Sequence, residues 1–144
     1  MIINTRPLTL ADKTNQLLKG SGIDFLHNPL TKISSISPSD EDLLKLRQLD
    51  SYDVIIFTSQ SAAKFGASFL KEHIKDNLEI PIMAIGLATQ AALNEHDLIS
   101  DVPSAFNSVG LAELIEQGKH EKCLIFCGGK QPQLSFHTPV TLDT

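Results

Sequence analysis

The run Val54-Ile55-Ile56-Phe57 has no polar position, as expected of a strand covered on both faces. Thr58 and Ser59 follow it, and Ala62, Phe65, Phe69 and Leu70 then recur at helical spacing. The order repeats at Ile80 to Ile85, then Gly86, then a helix predicted to turn Ala88, Ala91, Ala92 and Leu93 inward. A third round starts at Leu98-Ile99 and passes Pro103 to Asn107-Ser108, residue types that can cap a helix carrying Leu111, Leu114 and Ile115. A fourth strand, Cys123 to Cys127, runs into Gly128-Gly129.

The chain ahead of these rounds is less regular. Ile2-Ile3-Asn4 reads as a short strand, and Thr9 with Asp12 as a capping-box-like start for a helix carrying Leu10, Thr14, Leu17 and Leu18 inward. Gly20 and Gly22 stop that helix, and Ile23 to Leu26 is the next strand. Ser39 with Asp42 caps a helix whose stripe is Leu43, Leu46 and Leu49.

Strands alternating with helices over short connections predict a parallel sheet with helices on both faces, an α/β architecture of flavodoxin-like type. A domain crossing is expected after Leu30, dividing residues 1–30 from 31–144. The tail from Gln131 to Thr144 holds Pro132 and Pro139 and no helical pattern. The last strand therefore reads as missing its covering helix, and the domain as incomplete.

Composition narrows the function. A hydrophobic share of 42% allows one ordinary core, and a net charge of -5 without clustered lysines argues against nucleic acid as a partner. No apolar run has the roughly 18 residues that cross a bilayer, and the start lacks a signal-peptide core, so a cytoplasmic protein with no membrane partner is expected. Cys123 and Cys127 would lie about 13 Å apart on one strand face, too far for a disulfide, and read as buried thiols rather than metal ligands.

In open α/β sheets ligands gather at the carboxyl ends of strands, where helix N-termini present free N–H groups. Here those ends are Thr58-Ser59-Gln60-Ser61, Gly86-Leu87-Ala88-Thr89 and Gly128-Gly129-Lys130. Hydroxyls, open backbone and helix N-termini together suit a ligand with several carboxylates or phosphates, although caps and plain turns use the same residues. The chain has no G-x-G-x-x-G, Walker loop, H-E-x-x-H or G-x-S-x-G motif, which removes the main support for nucleotide and hydrolase readings. His73, His96 and His120 lie near predicted helix ends, and Tyr52 sits at the entry of the central strand, away from these edges.

Read in order, the edges resemble a known family. Asn4-Thr5-Arg6-Pro7, the stretch Ile55 to Ala62, the stretch Ile82 to Thr89, Pro103 with Ser108 to Leu114, and Ile125 to Gly129 together resemble uroporphyrinogen-III synthases. The resemblance covers residues 1 to about 130, and its specificity lies in order and spacing. It implies two α/β domains, the second inserted into the first, and a reaction without metal or organic cofactor. In that reaction the linear tetrapyrrole hydroxymethylbilane loses water, its last pyrrole ring is inverted through a spiro-type intermediate, and the macrocycle closes.

Carried over by position, the resemblance implies substrate binding by Arg6, Thr58, Ser59, Gln60, Gly86, Ala88, Thr89, Ser108, Gly128 and Gly129. It assigns no proton donor, because the family's tyrosine after the glycine-rich edge has no counterpart in Gln133 to Pro139. Impaired turnover is therefore expected. The alternative is a non-catalytic α/β module binding a tetrapyrrole or another polycarboxylate, and self-association through surface left open by missing elements is a further expectation.

Overall fold

The structure, a computed structural model, describes residues 1–74, 79–128 and 133–144. The chain forms two compact units, Met1–Ile36 and Ser37–Thr144.

In the first unit, β1 (Ile2–Asn4) and β2 (Phe25–His27) pair in parallel around α1 (Leu8–Gly20). The helix starts at Leu8 with Pro7 as its N-cap, so Thr9 lies inside the first turn rather than capping it. The fixed proline φ suits a helix start, and the Leu10 N–H donates to the Pro7 carbonyl at 2.9 Å. Ala11 is the buried residue of α1, whereas Leu17, expected inward, is exposed. The expected strand from Ile23 begins instead at Phe25, because the Ile23 N–H donates back to the Leu18 carbonyl and still belongs to the helix end.

The second unit is built on a four-stranded parallel sheet. Its strands are β3 (Val54–Phe57), β4 (Ile82–Ala84), β5 (Lys122–Phe126) and β6 (Thr141–Asp143), in the spatial order β4-β3-β5-β6. Its helices are α2 (Asp40–Arg47), α3 (Gln60–His73), α4 (Leu87–Asn94) and α5 (Ser108–Gln117). Counted within the unit, the first strand lies between the second and third, which is the flavodoxin-like order with its switch point between β3 and β5.

The two-residue period of the strands divides the core. Ile55, Phe57, Ile82, Ala84 and Leu124 pack with Leu46 of α2, Ala63, Ala67 and Leu70 of α3, and Ala92 and Leu93 of α4. Val54, Ile56, Met83, Cys123 and Ile125 face the other way, against Leu111 and Ile115 of α5. All four residues of β3 are fully buried, which is why that strand tolerates no polar position. Ser39 and Asp42 form the expected capping box of α2, and hydrogen bonds from Ser39 hold the Asp42 carboxyl below its usual range.

Three local expectations are corrected. In α4, Thr89, Ala92 and Leu93 are buried, whereas Ala88 and Ala91 face solvent, because the helix is turned from the inward stripe its alanines suggested. Leu98-Ile99 forms no strand, and only Asp101 bridges to Met83 beside β4. The tail supplies a strand: β6 pairs in parallel with β5, and Leu134, Phe136, Val140 and Leu142 pack on the α5 side of the sheet, where a covering helix had been expected. The Glu116 carboxylate on α5 anchors this stretch by accepting from the His137 and Thr138 N–H groups.

At the amino edge of the sheet, the Tyr52 hydroxyl donates to Asp143 of β6 at 3.0 Å. Burial, together with that carboxylate, pushes the phenol up from 10.0 to about 12. A raised phenol pKa stabilises the fold fully below its ordinary value, and this contribution is lost as pH rises from about 10 toward about 12. Tyr52→Phe should therefore cost about 1 kcal/mol at neutral pH and flatten the stability profile across that alkaline interval. Urea unfolding of both proteins at stepped pH measures the difference.

Candidate functional site

Neighbouring hydrogen bonds bring the exits of three adjacent strands to one level. The Thr58 N–H and hydroxyl both donate to the Phe126 carbonyl, at 3.2 and 3.3 Å, and the Ile85 N–H donates to the Phe57 carbonyl at 3.1 Å. Thr58, Gly86 and Gly128 therefore follow strands that end side by side, at the switch point where an open sheet has its crevice.

Each exit is shaped by a helix start. Ser59 caps α3, its Oγ accepting from the Ala62 N–H at 3.0 Å, which leaves the hydroxyl hydrogen able to donate elsewhere. Gln60 is the first residue of that helix and is half-buried. Gly86 precedes α4 and offers no capping side chain, so the first N–H groups of α4, at Leu87 and Ala88, have no side-chain cap. Ala88 is exposed there, whereas Thr89 is 3% exposed on the core side of the same turn. The α4 start thus presents its backbone rather than the Thr89 hydroxyl. Ser108 is the exposed first residue of α5, and the cap of that helix is Asn107, whose Oδ1 accepts from the Gly110 N–H at 2.9 Å. Gly128 is exposed with nothing within 4 Å of where a Cβ would stand, and Gly129 lies outside the described residues.

Two signals were missed in the sequence. Phe106 is exposed beside Gly86: a Cβ on that glycine would lie 3.4 Å from the Phe106 Cβ. It stands alone among small and polar residues, outside any apolar period, and that isolation was the available sign. The second is in the first unit, where Arg6 is exposed after β1 and its main chain is held by a closed ring of hydrogen bonds. The Arg6 N–H donates to Asn4 Oδ1, Asn4 Nδ2 to Asn15 Oδ1, Asn15 Nδ2 to His27 Nδ1, and His27 Nε2 to the Arg6 carbonyl. The ring assigns His27 the tautomer protonated on Nε2. A ring satisfied at every step makes the near-complete burial of Asn4 tolerable.

The cysteines offer no thiolate near neutral pH. Burial pushes Cys123 up to about 11, with Asp53 adding to the shift, and burial also raises the half-buried Cys127, just beyond β5. Among the described residues no group of three His, Cys, Asp or Glu side chains could hold a metal ion, and no helix is long and apolar enough to cross a membrane.

A family model described as uroporphyrinogen-III synthase HemD matches residues 12–135. The chain belongs to this family. Comparison with curated proteins finds no match. Membership in the uroporphyrinogen-III synthase family ties the chain to porphyrin biosynthesis and to a small-molecule substrate at family level. The matched span holds every candidate position except Arg6, which precedes it.

Proposed function

We propose that this chain acts on hydroxymethylbilane in the formation of uroporphyrinogen III, with the carboxyl edge of the second unit gripping the substrate's acidic side arms. The observation that carries the reading is the juxtaposition of Thr58, Ser59 and Gly86 at adjoining strand ends, in a chain whose family is uroporphyrinogen-III synthase. The Ser59 hydroxyl hydrogen and the backbone N–H groups at the start of α4 match carboxylates with short, charge-assisted hydrogen bonds. The negative net charge makes such local donors necessary, because the chain as a whole repels a polyanion.

Departure of the substrate's terminal hydroxyl as water needs one proton. Ring inversion and closure then need the two ends of a flexible chain held together, so positioning dominates the barrier. Ser59, Gln60, Gly86, Ala88, Ser108, Gly128 and Gly129 form the proposed grip. The reaction is a dehydrating cyclisation, of the lyase class, requiring no cofactor.

The test is conversion of freshly prepared hydroxymethylbilane, with the products oxidised and resolved as uroporphyrin isomers. The reading expects isomer III above its share in the protein-free reaction. An isomer ratio equal to the spontaneous one, at micromolar protein, overturns it.

A further inference from the structure

The grip described so far is polar, whereas a tetrapyrrole also presents ring faces. Phe106 is 56% exposed, and it is the exposed phenylalanine among the described residues. Its side chain begins against Gly86, whose position is such that an added Cβ would meet Phe106 Cβ at 3.4 Å and Cγ at 3.7 Å. The aromatic ring is thereby rooted at the start of α4, where the Leu87 and Ala88 N–H groups lack a side-chain cap.

The backbone carrying this ring is held on both sides. The Asn107 N–H donates to the Ala105 carbonyl at 2.8 Å, closing a three-residue turn with Phe106 at its tip. Asn107 then caps α5 through Gly110, which packs directly against the Ala105 carbonyl. A solvated aromatic on a turn already ordered loses little further freedom when it meets a ligand, so its contact area converts efficiently into affinity.

We propose that Phe106 is a substrate-contacting, specificity-determining residue that packs on a pyrrole ring while the neighbouring start of α4 receives that ring's acidic arms. The inference rests on the functional reading above. A pyrrole with carboxylate arms requires an apolar face and N–H donors within the reach of one ring, and Phe106 against Gly86 supplies both together. A ligand with the arms but no ring would use the donors alone.

The experiment follows uroporphyrin fluorescence during titration with wild-type protein and with Phe106→Ala and Phe106→Tyr, using butane-1,2,3,4-tetracarboxylate as a ring-free competitor. Phe106→Ala should raise the uroporphyrin Kd about five- to tenfold, and Phe106→Tyr should restore it to within about twofold of wild type. The competitor's inhibition constant should stay the same in all three proteins. Wild-type affinity for uroporphyrin in Phe106→Ala, or equal losses for both probes, overturns the role of the ring while leaving the polar grip standing. Absence of any uroporphyrin binding by the wild type overturns the functional reading, and the role of Phe106 with it.

Discussion

Replacing Gly110 by alanine should destabilise the second unit by about 2 kcal/mol, although alanine is ordinarily the better helix former by up to about 1 kcal/mol. Gly110 is the third residue of α5, and a Cβ there would overlap the carbonyl oxygen of Ala105 and stand 3.0 Å from its carbonyl carbon. The obstacle is main chain, which cannot rotate aside as a side chain does. Relief requires moving the Ala105–Asn107 turn, which also strains the Asn107 cap on the Gly110 N–H. Overpacking of about 1–3 kcal/mol and a cap worth about 1 kcal/mol together outweigh the gain in propensity. For a unit of this size the melting temperature should fall by roughly 10 °C. Gly20→Ala is the control: nothing lies within 4 Å of its Cβ position, so thermal unfolding should be unchanged or slightly improved. An unchanged melting temperature in Gly110→Ala would contradict the packing described for α5.

Much of the second unit was legible because burial and sequence coincide there. β3 is apolar throughout since both of its faces are covered, and Ser39, Ser59 and Asn107 are caps that read directly from residue type. The misreadings fall where residue type carries little information. In α4, alanine suits both the inner and the outer face, so Ala88 and Thr89 exchanged their expected roles. β6 is a three-residue edge strand with a single apolar position, Leu142, too short to show alternation. Tertiary pairing with β5, not local propensity, makes it a strand.

The strand ends that carry Thr58, Gly86 and Gly128 were legible, because strand ends in a parallel sheet are predictable from order alone. Phe106 was not, since its place beside Gly86 depends on the turn from Ala105 to Asn107, which no periodicity announces. The ring joining Asn4, Asn15 and His27 was hidden for a related reason. Its members are scattered along the first unit and meet only when β1, α1 and β2 assemble.

Ser59 offers a way to separate its structural duty from its proposed contact with substrate. As N-cap of α3 it accepts from the Ala62 N–H, a task aspartate performs equally well, and a negative charge is favoured at a helix N-terminus. Ser59→Asp should therefore keep or slightly raise stability, whereas Ser59→Ala should lose about 1 kcal/mol with the cap. Binding should respond in the opposite sense. A fixed carboxylate within about 4 Å of substrate carboxylates costs on the order of 4 kcal/mol at an effective dielectric constant of about 20, less after screening by salt.

Uroporphyrin titration of wild type and Ser59→Asp, each with its melting temperature, tests most directly whether this edge of the sheet holds the acidic arms. The expected result is an unchanged or higher melting temperature with a Kd raised at least about tenfold, part of which added salt restores. Equal uroporphyrin affinity in the two proteins would place the ligand elsewhere and contradict the account.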